Sequence, residues 1–138
     1  MTGVQTCALP ILARDRLTIG AYIRASDMVQ AMRRRLMLAE QTAAAMADVD
    51  AILLPTVPDP APKLGKLEPY FGSDRPPYMR PFNLTGQPAL SLCNGFDSAG
   101  MPLSLQIVGR PFDEAKVLRI GHAYERAADW RQRRPALA

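Results

Sequence analysis

Eight prolines fall between Pro55 and Pro81, and they decide where regular structure can form. Proline has no amide donor and fixes φ, so neither a helix nor a central strand is expected to run through this stretch. Folded elements must therefore lie on either side. The segment does not read as a linker, because Tyr70, Phe71, Tyr78 and Phe82 are interleaved with the prolines and linkers carry few aromatics. It is expected to be an ordered loop over a pocket or an oligomer surface.

On the N-terminal side, Thr18 to Ala47 reads as a helix. Tyr22, Ala25, Val29, Met32, Leu36, Ala39, Ala43 and Met46 recur at alternating spacings of three and four, which places them on one face. Thr18 is the expected N-cap. The spacing is also heptad-like, which leaves a homodimer through this face open. Small residues at half of the seam positions favour close packing on a sheet. The run Ala51 to Leu54 follows directly and reads as a buried strand covered on both faces. Helix followed by buried strand is an α/β signature.

On the C-terminal side, Pro88 to Cys93 is expected to be a second strand, with turn chemistry at Asn94-Gly95 and at Ser98-Ala99-Gly100. Pro102 to Val108 is expected to be a third. It places Leu103, Leu105 and Ile107 on one face and Ser104, Gln106 and Val108 on the other. The two should pair as an antiparallel hairpin. Asp113 to Trp130 reads as the last helix, capped by Asp113, with Val117, Leu118, Gly121, Tyr124 and Ala128 on its apolar face. Gly121 within that face suggests close approach of another backbone.

The 138 residues suit one domain or a large piece of one, and 48% apolar with 22% charged residues excludes disorder along the whole length. No apolar run approaches the roughly 20 residues that cross a bilayer, and Met1 to Leu12 lacks a basic leader. No membrane association is expected, and the cytoplasm is the expected location. Cys7 and Cys93 are too few for a disulfide framework. The net charge of +4 comes mainly from Arg33 to Arg35 and from Arg131, Arg133 and Arg134. Three consecutive helical residues fan across about 200° and make no stripe, so no nucleic-acid partner is expected. Residues 1–11 lack periodicity and resemble a peptide translated from sequencing-adapter DNA. They are expected to be non-native or disordered, with the domain proper over residues 12–138.

Catalytic chemistry is sparse. His122 is the only histidine, and with Cys7 and Cys93 it makes no metal set. No serine sits in a G-x-S-x-G elbow. Lys63, Lys66 and Lys116 stand in no apolar context that would neutralise an amine. No cofactor motif is present, and no metal or cofactor is expected.

Four blocks nevertheless form a pattern. Asp50-Ala51-Ile52-Leu53-Leu54-Pro55-Thr56 resembles the D-x-L-L-x-P-T strand of amidase-signature enzymes. Arg80 to Leu92 resembles their P-F-N-x-x-G-x-P-A-x-S segment, and Gly100 to Gly109 their G-L-P-x-G-x-Q-x-V-G strand. Asp113-Glu114-Ala115, opening a helix that reaches Tyr124-Glu125, matches as well. Cys93 stands where the family usually has proline, and Ser104 where it usually has glycine. The resemblance covers about residues 18 to 134 and implies the C-terminal part of an α/β fold, with a mixed β-sheet flanked by helices. It implies hydrolysis of small-molecule carboxamides, or ammonia transfer as in the A subunits of aminoacyl-tRNA amidotransferases. The family's serine–serine–lysine machinery lies in an upstream glycine-serine-rich segment, so no residue here inherits a catalytic role. What the resemblance implies for this chain is scaffold and pocket wall, with Thr56, Val57, Pro58, Phe82 and Asn83 toward the substrate. Asn83 is expected to hold a turn between loop and strand. The competing reading is a non-catalytic binding or interaction module.

Overall fold

The computed structural model describes residues 17–63 and 78–134. The first eleven residues, Cys7, Lys66, Tyr70, Phe71 and much of the proline-rich segment lie outside the described residues. The chain divides into two compact units, one ending at Leu36 and one beginning at Met37.

In the first unit, a 3-10 turn spans Gly20–Tyr22 and the helix α1 runs Ala25–Ala45 into the second unit. The helix expected from Thr18 is therefore broken. Ile23 is extended, with φ −82° and ψ 121°, and glycine and β-branched residues just before Arg24 weaken helical continuity. Arg24, and not Thr18, opens α1: its carbonyl accepts from the amides of Asp27 and Met28 at 3.0 and 3.1 Å. Asp27 sits in the positive first turn and pairs with the Arg24 guanidinium at 3.0 Å. No residue of α1 is buried. Val29, Met32 and Leu36, from the face expected to pack on a sheet, are exposed, whereas Met46 from the same face is fully buried.

The second unit is built on a sheet of order β1-β3-β2, with β1 Ile52–Pro55, β2 Ala89–Phe96 and β3 Pro102–Val108. All pairings among the described strands are antiparallel. The chain is α/β as expected, and the β2–β3 hairpin forms. Asn94-Gly95 is not its turn, however. The turn is tied at Asp97, whose carboxylate accepts from the amides of Ala99 and Met101 at 2.9 and 2.8 Å. A register shift between Cys93 and Gly95 makes Asn94 the extra residue of a bulge.

The central strand is β3, not β1. Gln106, Ile107 and Val108 are buried on both faces of β3. β1 is bonded on one side only among the described residues, and Leu53 is 58% exposed. The expectation of a fully covered β1 fails because an apolar run does not reveal whether both flanking strands are in place.

The last helix packs on β2 and β3 through Val117 and Gly121; it spans Glu114–Ala127 and is numbered α3, after the short helix α2 at Arg80–Thr85. A Cβ at Gly121 would run into Leu90 Cδ2 and lie 3.2 Å from Leu92 Cδ1. Gly121 seats the helix, but what approaches it is the side chains of Leu90 and Leu92 and not, as expected, another backbone. Leu118, expected on the same face, points outward at 60% exposure, because one residue along a helix is a 100° rotation. Asp113 is at the N-cap position but makes no side-chain cap. Its carboxylate takes Lys116 at 3.2 Å. Lys116 also pairs with Asp50 at 3.0 Å, and the Arg110 guanidinium donates to the carbonyls of Ala47 and Val49 at 2.7 and 3.1 Å. These bonds pin the segment between α1 and β1 against the start of α3.

Gly121→Val should destabilise the fold by about 1–3 kcal/mol, since a branched side chain overpacks this seat. Gly121→Ala should be near neutral, because the displaced atom is the end of the Leu90 side chain and alanine favours helix. Urea denaturation of both variants decides. The Lys116 ammonium holds the Asp50 carboxyl below its ordinary 3.8, and Asp50 with Asp113 raises Lys116 above 10.5. Asp50 therefore contributes stability above pH 3.8, lost as pH falls through its folded value. Lys116 contributes below pH 10.5, lost as pH rises through its folded value. The gap in urea midpoint between wild type and Lys116→Met should be widest near pH 7 and narrow at both extremes.

Candidate functional site

The end of β1 delivers the chain into a cleft of about 580 Å³. Val57, Pro58, Pro60 and Pro62 form one side, and Asn94, Leu103 and Ser104 form the other. Two short-range devices place these sides. The first is at Thr56, which is 9% exposed. Its amide donates to the Ser104 carbonyl at 3.2 Å, and its Oγ1 lies 2.9 Å from Ser91 Oγ. The β1 ladder is thereby extended one residue beyond Pro55, and Val57 and Pro58 start from a fixed point. The second device is the bulge, which turns Asn94 out of the ladder and toward the cleft. Opposite it, Cys93 pairs in register with Ser104.

Of the five residues expected at a substrate site, the structure brings Val57 and Pro58 to the cleft, with Thr56 as their buried anchor. Phe82 and Asn83 stand apart from its lining. Both belong to α2, where the proline pattern argued against helix. Pro81 sits in its first turn, where a missing amide costs nothing. Phe82 is buried. Asn83 is exposed, and its backbone amide donates to the Met79 carbonyl at 3.2 Å as part of the helix. The turn from α2 into β2 is made by Gly86, whose left-handed backbone closes on the Phe82 carbonyl at 2.8 Å. Asn83 does not hold that turn. Sequence reasoning missed Asn94 and Ser104 as cleft residues. The signals were present, as an Asn-Gly pair that resembled a turn and a serine where the family pattern has glycine.

The described residues hold no nucleophile–base pair. His122 is exposed on α3. Cys93 is half-buried and its thiol donates to the Gly95 carbonyl at 3.5 Å. Lys116 is held protonated by two carboxylates, the opposite of what a lysine base needs. No group of three or more His, Cys, Asp or Glu among the described residues is placed to hold a metal, and no described helix is long and apolar enough to cross a membrane.

The family model described as Amidase matches residues 10–118. The A subunit of glutamyl-tRNA(Gln) amidotransferase from Thiobacillus denitrificans is 40% identical over 132 residues, which are 88% of this chain and 27% of that protein. Its counterpart from Myxococcus xanthus is 41% identical over 127 residues, 87% of this chain and 26% of that protein. Among solved structures, an amidase superposes with a TM-score of 0.72 at 32% identity, over 86% of this chain and 29% of its own. A 6-aminohexanoate cyclic dimer hydrolase gives 0.68 at 27% identity, over 84% and 27%. The chain thus spans little more than a quarter of the length of the relatives it matches.

Thr56→Val keeps the shape at the cleft's anchor and removes one hydroxyl. It should cost about 1 kcal/mol of folding stability by leaving Ser91 Oγ without its partner. Thr56→Val combined with Ser91→Ala should cost less than the sum of the two single changes, because both break one bond. A double-mutant cycle in urea measures this; strict additivity would mean that the two hydroxyls do not interact.

Proposed function

Because the chain belongs to the amidase family, we propose that it is the part of an amide-hydrolysing enzyme that supplies scaffold and one wall of the substrate cleft. Nucleophile and base act from the portion of the fold that this chain does not match in its relatives. The observation that carries the reading is a formed cleft beside β1, within an amidase-type fold, with no base near it among the described residues. In this reading Val57 and Pro58 face a small-molecule amide and Thr56 fixes them. Phe82 anchors α2, and Asn83, exposed outside this cleft, would meet substrate only where the rest of the enzyme extends the site to α2. The enzyme works in the cytoplasm, and this chain itself contacts no nucleic acid.

Three features support seating within a larger fold. The α1 row Met28, Val29, Met32 and Leu36 is exposed. Phe112 is 95% exposed on a left-handed backbone of φ 63°, a conformation that costs energy unless its surroundings compensate. The side-chain nitrogens of Gln87 and Gln106 are buried without a hydrogen-bond partner, a cost that an added acceptor removes. An ammonia-transferring amidotransferase component is the second reading, favoured by 40% identity to the Thiobacillus protein.

The 138-residue chain alone should hydrolyse no amide above buffer. A chimera that carries residues 18–134 in place of the matched segment of the Thiobacillus relative should fold and release ammonia from amides. Turnover by the isolated chain, or a folded chimera inert toward every amide tried, would sink the reading.

A further inference from the structure

Asparagine followed by glycine occurs once in the chain, at Asn94-Gly95, and the fold leaves that pair open to reaction with itself. We propose that Asn94 is a site of spontaneous deamidation, which slowly turns a neutral residue of the cleft lining into a carboxylate. This holds whatever the cleft binds.

The reaction needs only the chain and water. The backbone nitrogen of Gly95 attacks Cγ of the Asn94 carboxamide. A new C–N bond forms, the side-chain nitrogen departs as ammonia with the proton that the Gly95 amide gives up, and a cyclic imide remains. Water then adds to one of the two imide carbonyls and breaks its C–N bond. Opening at Cγ leaves aspartate. Opening at the backbone carbonyl leaves isoaspartate, whose main chain runs through Cβ and Cγ. Nucleophile and target lie in one molecule, so their approach governs the rate.

The bulge favours that approach. The register passes from Cys93 opposite Ser104 to Gly95 opposite Leu103, which leaves Asn94 without a cross-strand partner. A paired strand residue is held extended, and a bulge residue is released from that pairing. Asn94 is exposed, and among the described residues no hydrogen bond ties its carboxamide. Gly95 puts no side chain beside the attacking nitrogen, and nothing lies within 4 Å of where its Cβ would stand, so water has access. The φ of Gly95 is 154°, a value that favours glycine. The bulge thus calls for the residue that makes its own asparagine labile.

Asn83 is the only other asparagine and serves as an internal control. It is exposed as well. It lies within α2, however, with its amide bonded to the Met79 carbonyl, and the branched side chain of Leu84 crowds the nitrogen that would attack. At Asn94, which lines the cleft together with Ser104, conversion brings a negative charge to the wall. The isoaspartyl product also lengthens the backbone at the bulge.

Ageing the 138-residue chain in mildly alkaline buffer, and in parallel in urea, tests this. Peptide mass spectrometry scores the exchange of the amide NH2 for OH, and chromatography separates aspartate from isoaspartate. In buffer, Asn94 should convert at least about tenfold faster than Asn83, because approach limits closure. Its rate in buffer should stay within about tenfold of its rate in urea, whereas Asn83 should be slowed by more than that in its helix. Isoaspartate should be among the products, since direct hydrolysis of the side chain cannot form it. Gly95→Ala, read in urea where folding plays no part, should slow Asn94 severalfold by crowding the nitrogen. A smaller lead over Asn83, a greater slowing of Asn94 in buffer, equal slowing of the two asparagines, aspartate alone, or an unchanged rate in the Gly95 variant overturns the proposal.

Discussion

β3 is the strand on which the second unit depends. It is hydrogen-bonded on both edges, so its backbone donors and acceptors are satisfied within the sheet. Its last three residues, Gln106 to Val108, are buried. Leu90 and Leu53 flank Ile107 in register, and Ala89 and Ile52 flank Val108. Two glycines let the helical layer close on this strand. Gly121 admits Leu90 and Leu92 into the surface of α3, and a Cβ at Gly109, just past β3, would strike Val117 Cγ2. Apolar burial supplies the favourable free energy, and the two glycines leave room for the side chains that meet at this seam.

The polar ties act on geometry more than on energy. Asp50 is 83% exposed at its side chain, and exposed ion pairs are weak and screened. Their worth here lies in what they join. Arg110 bonds two carbonyls just past the end of α1, and Lys116 bridges Asp50 and Asp113. The turn into β1 is thus attached to the turn into α3. At the opposite end of the sheet, the Arg133 guanidinium lies 4.3 Å over the Phe96 ring, and Trp130 meets the same ring edge-on at 6.2 Å. That contact joins the 3-10 turn Asp129–Gln132 to the hairpin.

Element type was legible in the sequence where periodicity was long, and neighbours were not. The alternation of β3 and the 3.6 period of α1 and α3 marked all three. What alternation could not disclose was that β3 lies between the other two strands, because order in a sheet is a property of pairing. Placing β1 at an edge required the register Ile52 with Val108, not the composition of Ile52 to Leu54. α2 was hidden because proline reads as a breaker, yet in the first turn of a helix its missing amide has no bond to lose. Thr56 was singled out through resemblance. Its partner Ser91, 35 positions away, had no local signature at all.

The cleft shows how two small sequence changes can act as one. Cys93 and Ser104 are the positions where the chain departs from the amidase pattern of proline and glycine, and the register places them opposite each other. A glycine at 104 would leave the floor of the cleft bare. Serine brings a hydroxyl to the wall that Thr56 already touches through the Ser104 carbonyl. The bulge residue Asn94 follows Cys93 directly. Sequence drift confined to the back of a sheet would have no such consequence. At the rim of a cleft, a pair of cross-strand substitutions changes which polar groups a ligand meets, with the hydrophobic core left as it was.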